Sequence, residues 1–486
     1  MTVDIAPQLP LAKDFSSFLS LEGAARKKSP LKGLLRFMKD DMISLGGGLP
    51  HPSTFPFYSL SAEVKAMGPA DATVNGSSLK AVKAQPETVS VPHYPQPGKT
   101  ESLTATLQYG MGTGLPSLRE FCKGHVARMH KPQYRDWDVV LSAGNTDGFA
   151  KACSMVCSRG DKVLVEEWTY PAALEMMEPL GVGHIPVQMD GEGMSAVALK
   201  DLLDNWGTNP EQAQQAKPRV VYLIPTGQNP TGTTMSIQRR KDIMQVAQEH
   251  DLIVIEDDPY YYLQFFVDQQ GGWMPSLLSM DTDGRVIRLD TFSKTLAPGC
   301  RVGYMSMNPQ FCQIVQYHNE VTTQQPSGFS QAILAEMLIS HWGQEGYKRY
   351  LTENVRMEYL NRSQHLQKSF KAHVSPLLAS YNEPSAGMFL WIKIHLEKHP
   401  RFGNVSDSAL MLELFNKCIA NQVLLVPGWQ FSCKSKPSDI DPADLLNSWY
   451  DDDARYLRAT FAYATFEQME EAMVRFGKTL EDAFAA

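Results

Sequence analysis

The sequence predicts an α/β protein, in which a large domain with a mostly parallel mixed sheet flanked by helices is joined to a smaller α+β domain. Three observations support this fold class. The chain has 486 residues, which is too long for one simple core. From about Ser117, short runs rich in β-branched residues alternate with stretches of helical apolar spacing. After Phe329, long helical stretches lead into a second alternating region that ends in a helix.

The first hundred residues lack this alternation. Residues 1–50 are predicted to form an N-terminal arm that contributes to the small domain and to the substrate site, and the arm ends in a glycine-rich run, Leu45–Pro50. The stretch 67–103 is rich in Ala, Ser, Thr, Pro and Lys, so we expect a long surface excursion outside the core. The predicted large domain then spans 51–360 and the small domain 361–486.

The individual elements follow from the same pattern. Strands are predicted at Val139–Ser142, Lys162–Glu166, Val220–Ile224, Leu252–Glu256, Val286–Asp290 and Arg301–Ser306. Helices are predicted at Thr146–Cys157, Ile237–His250, Gln331–His341 and Gly346–Lys371. In the small domain the pattern predicts strands Phe389–Ile394, Val423–Pro427 and Tyr456–Phe461 and a closing helix, Phe466–Ala483. Strands separated by helices indicate a mostly parallel sheet, in which functional residues gather where strands end.

Composition and charge exclude several classes of function. A formal net charge of −8 argues against binding to nucleic acids or anionic membranes, because both require a basic surface. No apolar run is long enough to cross a bilayer, and the first residues do not follow the plan of a signal peptide. Seven scattered cysteines indicate reduced thiols and a cytoplasmic protein, and no cysteine–histidine set predicts a metal site.

Lys294 is the first candidate for chemistry, because it follows the strand Val286–Asp290 directly. A lysine at a strand end can point into a cleft, where nearby cations favour the neutral, nucleophilic amine. A single lysine is more commonly a solvated surface charge, so the hypothesis depends on other strand ends. Asn229 supplies one of these, in the rigid turn Gly-Gln-Asn-Pro-Thr-Gly. Asp257 and Tyr260 supply another, after the strand Leu252–Glu256.

A fourth turn has the character of an anion site. Gly144, Asn145 and Thr146 lie between a predicted strand and the helix that follows, where backbone N–H groups and the helix dipole favour phosphate. Such turns are common, so this one is weak in isolation. Tyr170 follows the strand Lys162–Glu166 and could stack on a planar ring, although an exposed loop tyrosine is the commoner role.

A family resemblance covers the chain from Ser29 to Ala483. The motifs that carry it are, in chain order, SPLKGLLRF, ISLGGGLP, LQYGMGTGLPSLREF, AGNTDG, IPTGQNPTG, IEDDPYYYLQF, RVIRLDTFSKTLAPGCRVGY, SAGMFLWI and YLRATFAYA. The chain resembles the fold-type I enzymes of pyridoxal phosphate (PLP) and, among them, the aminotransferases. It is most similar to the fungal aromatic amino acid aminotransferases and the kynurenine/2-aminoadipate aminotransferases.

The resemblance implies a role for each strand-end residue. Lys294 is expected to hold PLP as an imine, Asp257 to contact the pyridine nitrogen, and Asn229 and Tyr260 to donate to the ring hydroxyl. Tyr170 is expected to stack on the ring. The residues expected around the phosphate are Gly144, Asn145, Thr146, Thr291, Ser293 and Arg301. The pair Asn145-Thr146 replaces the family's common Ser-Gln pair, and both pairs offer hydrogen-bond donors.

The substrate side rests on the same resemblance. Arg458 resembles the arginine that binds the substrate α-carboxylate, for which its planar fork is suited. Asn229 and Gly48 are also expected on this side, together with Lys32. The kynurenine/2-aminoadipate relatives have arginine in place of Lys32, and lysine keeps the charge but loses the fork. Tyr109 matches a tyrosine that reaches the phosphate of the neighbouring subunit, which implies a homodimer with shared active sites.

The expected reaction is transamination of aromatic amino acids (Tyr, Phe and Trp) with 2-oxoglutarate or an aromatic 2-oxo acid. The alternatives are a 2-aminoadipate/kynurenine aminotransferase and a PLP lyase on the same scaffold. A third is a non-enzymatic PLP-binding regulator, but the residues before Ser29 are too few for the DNA-binding module that such proteins usually carry.

Overall fold

The computed structural model of the chain describes residues 9–37, 39, 41–43, 45–67, 86–208, 214–266, 272–433 and 455–485. The chain divides into two compact units, each made of two segments. The first unit is Met1–Ser158 with Pro275–Asn354, and the second is Arg159–Met274 with Val355–Ala486. The predicted domain limits near residues 50 and 360 stay predictions.

The helices and strands are numbered in chain order. The α-helices are α1 Leu21–Ala25, α2 Pro30–Gly33, α3 Leu103–Thr106, α4 Pro116–Met129, α5 Asn145–Val156, α6 Pro171–Met177, α7 Ala196–Asp204, α8 Ile237–Glu249, α9 Pro309–Glu320, α10 Gly328–Ala335, α11 Gly343–Arg349, α12 Arg356–His373, α13 Asp407–Ala420 and α14 Phe466–Phe484. The strands are β1 Ser59–Lys65, β2 Pro86–Pro92, β3 Asp138–Ser142, β4 Lys162–Glu166, β5 Gly183–Val187, β6 Met189–Asp190, β7 Gly193–Met194, β8 Val220–Leu223, β9 Ile253–Asp257, β10 Val286–Thr291, β11 Gly303–Met307, β12 Ala379–Tyr381, β13 Phe389–Ile394, β14 Val426–Pro427 and β15 Tyr456–Thr460.

In the first unit, β11 pairs antiparallel with β3 on one side and with β10 on the other. Both β10 and β11 are buried along their whole length. Helix α5 packs on these strands at Gly148, next to Leu289 and Met305. The close approach brings the start of α5, just after β3, next to the end of β10. Two of the predicted strand ends therefore meet in this unit.

The expectation of a surface excursion at 67–103 was wrong for its second part. Residues 86–92 form β2, which pairs antiparallel with β1, and Val89 and Val91 are fully buried. Val91 packs in a small core with Leu103 and Ala332. The alternation of inward valines with outward polar residues is short, and the flanking Pro86 and Pro92 are typical of a strand that is not central in a sheet. Residues 68–85 of this stretch lie outside the described residues.

In the second unit, four parallel strands lie in the order β9-β8-β4-β5. Strands β8 and β9 are buried throughout, which explains the apolar runs 220–223 and 253–255. The antiparallel sheet β12-β13-β15-β14 packs with helices α12, α13 and α14 around a second core. Its members include Leu390, Ile392, Met411 and Phe476. This part has the α+β character that was predicted for the smaller domain.

Most predicted elements are present with small changes in their limits. The limits of β4 and β13 agree with the prediction, whereas the predicted strand Val423–Pro427 is reduced to β14. The predicted helix Gln331–His341 begins as α10 and continues as a π-helix, Glu336–Trp342. Strand β5 was not predicted. No helix in the described part of the chain is both long and apolar enough to cross a membrane.

Candidate active site

The turn between β3 and α5 is built around Gly144, in the first unit. Gly144 has φ of 102°, a backbone conformation that favours glycine. A Cβ atom at this position would lie 2.5 Å from Nη2 of Arg301. The absence of a side chain therefore allows a guanidinium to lie directly against the turn that begins α5.

Arg301 joins this turn to the end of β10. Its Nη2 donates to the carbonyl of Ala143 at 2.7 Å, and its Nη1 approaches Oγ of Ser293 at 3.3 Å. The hydroxyl of Thr291 donates to Oγ of Ser293 at 2.9 Å. Gly144, Thr291, Ser293 and Arg301, all predicted around a phosphate, are thus brought together. We call these residues, with Asn145 and Thr146, the phosphate cup.

Asn145, Thr146 and Lys294 are further candidates in the first unit. The Asn145 side-chain amide donates to the carbonyl of Leu289 at 3.0 Å, so one of its hydrogens ties the cup to β10. Thr146 is exposed in the first turn of α5. Lys294 is half-buried, three residues beyond the end of β10 and next to Ser293 of the cup.

In the second unit, Asp257 ends β9 as a buried carboxylate. Tyr222, in the neighbouring strand β8, donates its hydroxyl to Oδ2 of Asp257 at 2.9 Å. Burial raises the pKa of Tyr222, and the negative charge of Asp257 raises it further, so the phenol remains a donor. This hydrogen bond stabilises the ionised carboxylate. Sequence reasoning missed Tyr222, although a tyrosine in an otherwise aliphatic buried strand was a signal.

Arg458 is held by Asn229 and by two aromatic rings. Its Nη1 donates to Oδ1 of Asn229 at 2.5 Å. The guanidinium carbon lies 4.4 Å from the ring centre of Phe389 and 4.6 Å from that of Phe431. Its Nε is buried and makes no hydrogen bond within the described part of the chain. A buried, unsatisfied guanidinium donor is what a carboxylate ligand would bind.

Two tyrosines lie in the same electrostatic environment. Burial raises the pKa of Tyr260, Asp257 raises it further, and Arg458 opposes the shift. Burial lowers the pKa of Arg458, which Tyr260 and Tyr170 counteract. The ring of Tyr260 also meets Phe389 edge-on at 5.7 Å. The second unit therefore gathers Tyr170, Asn229, Asp257, Tyr260 and Arg458 into one group, which we call the carboxylate cluster.

The loop that carries Asn229 is anchored by a buried acid, which sequence reasoning also missed. Glu166, at the end of β4, accepts hydrogen bonds from Ile224 N at 3.1 Å and from the Gln228 side chain at 3.1 Å. Gln228 in turn accepts from the backbone and hydroxyl of Thr231. Burial raises the pKa of Glu166 to about 8. The position of Asn229 thus depends on a carboxyl group that is largely protonated at neutral pH.

Two glycines fix where this loop meets β13. A Cβ atom on Gly227 would lie 2.5 Å from the Cα of Gly387, and one on Gly387 would lie 2.8 Å from the Cα of Gly227. Gly387 directly precedes Met388 and Phe389, so the contact sets the distance between the Asn229 loop and one of the rings against Arg458. Both glycines belong to motifs that were noted in the sequence.

The N-terminal candidates are more exposed. Lys32 Nζ donates to the carbonyl of Gly110, next to Tyr109. Tyr109 is 60% exposed. Gly48 is exposed, and no atom lies within 4 Å of a Cβ atom built on it. The structure therefore joins Lys32 to the Tyr109 segment.

The donor sets fit the predicted cofactor. The phosphate cup offers backbone N–H groups at a helix start, hydroxyls and a guanidinium, which suit a phosphate. The carboxylate cluster offers an ionised acid that suits a protonated ring nitrogen, and an arginine that suits an amino acid carboxylate. Arg455, three residues before Arg458, pairs instead with Asp407 and Glu397.

The chain matches known proteins over nearly all of its length. Residues 72–476 match the family model for aminotransferase class I and II. An aromatic amino acid aminotransferase of Schizosaccharomyces pombe is 37% identical, over 97% of this chain and 98% of its own. An L-tyrosine:2-oxoglutarate aminotransferase of Tapinella panuoides is 33% identical, over 98% and 97%. The mouse kynurenine/alpha-aminoadipate aminotransferase is 32% identical, over 97% and 100%.

Solved structures agree with this result. The aminotransferase Aro8 of Candida albicans has a TM-score of 0.85 and 33% identity, covering 98% of this chain and 100% of that one. LysN of Thermus thermophilus, an alpha-aminoadipate aminotransferase solved with N-(5'-phosphopyridoxyl)-L-leucine, has a TM-score of 0.63 and 25% identity, covering 78% and 85%. The predicted fold class is confirmed by these neighbours.

Proposed function

The chain belongs to the class I and II aminotransferases, and we propose on this basis that it transfers the amino group of aromatic amino acids to 2-oxoglutarate or an aromatic 2-oxo acid. The protein is an aminotransferase, and pyridoxal phosphate is its cofactor. Relatives named for aromatic amino acids and for tyrosine, which align over almost the whole chain, support Tyr, Phe and Trp as donors.

The setting of Arg458 is the observation that carries this proposal. Its guanidinium lies between Phe389 and Phe431, and its buried Nε is an unsatisfied donor within the described residues. The positive charge of the guanidinium attracts a carboxylate bound there. The N–H groups along the edge of the planar guanidinium donate directional hydrogen bonds, which orient that carboxylate. The two phenylalanine rings pack against the guanidinium and help to hold it in place for the α-carboxylate of an amino acid.

The residues of the chain divide the remaining work. Bound pyridoxal phosphate supplies an electron sink for the negative charge that develops at the substrate Cα. Lys294 would hold the cofactor and, as a free amine, would take up and return the proton at the substrate Cα. Asp257, which accepts a hydrogen bond from the hydroxyl of Tyr222, would pair with the protonated ring nitrogen. These roles, like those of the phosphate cup, are supported by motif position and by the local contacts described above.

A second candidate substrate class is 2-aminoadipate or kynurenine, which the mouse relative supports. Lys32 argues against a preference for it, because its ammonium donates to the carbonyl of Gly110. An ammonium bound to the protein's own backbone is less available to a second substrate carboxylate. We therefore place aromatic amino acids first and these acids second.

We propose a homodimer in which Tyr109 reaches the phosphate of the neighbouring subunit. Tyr109 is exposed in the single chain. The same unit exposes Leu31, Ile43, Leu45 and Tyr58 by 71% to 95%, a set of apolar side chains that calls for a covering surface. Molar mass by light scattering at micromolar concentration tests this proposal, and a monomer would contradict it.

Two further predictions remain part of the proposal. The domain division into an arm (1–50), a large domain (51–360) and a small domain (361–486) accords with the core around β12–β15, most of whose buried members follow residue 361. A cytoplasmic location accords with the seven cysteines, all of which are described and none of which is in a disulfide. Expression of the tagged protein with fractionation of the cell tests the location.

The substrate proposal is tested with a panel of amino donors against 2-oxoglutarate. Tyr, Phe and Trp are expected to give the highest kcat/KM, with 2-aminoadipate and kynurenine below them. A higher kcat/KM for 2-aminoadipate than for every aromatic donor would contradict the aromatic assignment but not the aminotransferase activity. Incubation with a donor alone should convert one equivalent of enzyme-bound cofactor and then stop. Continued turnover would indicate a lyase.

A further inference from the structure

Helix α5, which begins at the phosphate cup, contains a buried ion pair without a part in the proposed reaction. Lys151 Nζ lies 2.6 Å from Oδ2 of Asp147, and the two side chains are 5% and 24% exposed. Lys151 also approaches Oγ1 of Thr323 at 3.4 Å. Lysine is rarely this deeply buried unless its charge is matched, so its position here requires an explanation.

Asp147 shapes the turn of the cup. Its Oδ2 accepts the backbone N–H of Ala143 at 2.9 Å, while Arg301 donates to the carbonyl of the same residue at 2.7 Å. Ala143 is therefore held at both its N–H and its carbonyl. The N–H of Gly148 then closes the first helical turn on the carbonyl of Gly144.

The carboxylate of Asp147 creates an electrostatic conflict. A negative charge in the first turn of a helix stabilises the helix, but it repels an anion bound at the same end. Lys151 lies one turn further along α5 and cancels that charge. The pKa of His318, which senses the charges of this pair, is lowered to about 4, by burial first and then by Arg26 and Lys151, against the opposing effects of Asp147 and Glu22. His318 therefore adds no charge at neutral pH.

We propose that Asp147 and Lys151 are positioning residues for the cofactor phosphate. Asp147 fixes the turn from Ala143 to Gly144, and Lys151 neutralises Asp147 so that the cup receives the phosphate dianion without repulsion from behind. The inference rests on the proposed function, because the phosphate cup is part of that proposal. It assigns a task to a buried pair that touches neither substrate nor cofactor.

Titration of the apoenzyme with PLP, followed by absorbance, tests the pair. Lys151→Met keeps the length of the side chain and leaves Asp147 negative, so the Kd for PLP should rise about tenfold. The double variant Asp147→Asn with Lys151→Met should return the Kd to within about threefold of the wild type. Pyridoxal, which lacks the phosphate, should bind the wild type and Lys151→Met within about twofold of each other.

Matched variants separate charge from structure. Lys200→Met removes the lysine of another Lys–Asp pair four residues apart, the exposed pair with Asp204, and should leave the Kd unchanged. If circular dichroism shows that Lys151→Met does not fold, the Kd of Asp147→Asn for PLP tests the inference instead. Asp147→Asn should bind PLP no more weakly than the wild type, because only a negative charge is lost.

Each other outcome is decisive. If Lys151→Met weakened the binding of PLP and pyridoxal equally, the pair would have only a structural role and the inference would be overturned. A double variant that bound PLP as weakly as Lys151→Met would lead to the same conclusion. An unchanged Kd in Lys151→Met would also overturn it. Failure of the wild type to bind PLP would contradict the proposed function itself.

Discussion

The phosphate cup and the carboxylate cluster are built in different ways. The cup uses a glycine turn, backbone groups and short hydroxyls, and its Arg301 is exposed. The cluster uses buried side chains from distant segments, such as Asn229 and Arg458, which are 229 positions apart. A phosphate accepts hydrogen bonds from many directions, so a local turn suffices. To orient a ring nitrogen and a carboxylate, the contacting side chains must themselves be held in place. A network of hydrogen bonds and ring contacts holds them.

Loss of Lys294 should have the largest effect, because no other residue is assigned its covalent and proton-transfer roles. Lys294→Ala is expected to lower transamination by at least about 10³-fold and to remove the absorbance of the covalently held cofactor. Lys371→Ala, which removes an exposed lysine paired with Glu383, is the control and should change neither. An active Lys294→Ala enzyme that kept this absorbance would refute the assignment.

Arg458→Ala tests whether the cluster binds substrate independently of the cup. The variant should lose about 10²-fold in kcat/KM for tyrosine, mainly through KM, while its Kd for PLP stays close to that of the wild type. Arg455→Ala is a matched control, since Arg455 pairs with Asp407 and Glu397. Equal losses of substrate and cofactor binding in Arg458→Ala would mean that the two groups are not separable.

Glu166→Gln tests the network that holds Asn229 through its dependence on pH. The pKa of Glu166 is raised to about 8 from 4.5, so the folded protein retains a proton that the unfolded chain releases. Stability should therefore fall as pH rises from about 4.5 to 8, by at most about 1.4 kcal/mol per pH unit. Urea unfolding at pH 5.5, 6.5 and 7.5 should show a shallower fall in the variant.

The control for this titration is Glu471→Gln, which alters an exposed carboxylate paired with Arg475. It should reproduce the wild-type dependence on pH. An identical slope in Glu166→Gln and the wild type would mean that Glu166 is already ionised at neutral pH.

Tyr222→Phe should have the smallest effect, because it removes one hydrogen bond to Asp257 and leaves the packing intact. We expect kcat/KM to fall about fivefold, equivalent to about 1 kcal/mol. The absorbance spectrum of the bound cofactor should shift in its pH dependence, because Asp257 is less firmly ionised. The control is Tyr134→Phe, which alters a buried tyrosine of the first unit. A larger loss of kcat/KM in Tyr222→Phe than in Arg458→Ala would contradict the proposed order of effects.

The sequence predicted members of both groups. Gly144, Asn229, Asp257 and Tyr260 were named from turns at strand ends, whereas the phosphate role of Thr291, Ser293 and Arg301 was implied by the family resemblance. A local turn leaves a local signature, so Gly144 could be recognised beside its strand. The parallel strands could also be predicted from local sequence. For example, an apolar run between two turns predicts β4.

The supports of the cluster could not be predicted in this way. Glu166, Tyr222 and Phe431 each act on a residue far away in sequence, and burial of their polar atoms depends on tertiary contacts. Phe389 was inside a noted motif, but nothing local indicates that its ring lies against Arg458. The buried valines of β2 were missed because their alternation is only seven residues long and lies between prolines.

The contact between Gly227 and Gly387 has a consequence for engineering the substrate range. Each glycine excludes a side chain on the other, so neither position can be diversified alone without moving backbone. A library that randomises the Asn229 loop or the start of β13 should therefore keep both Gly227 and Gly387.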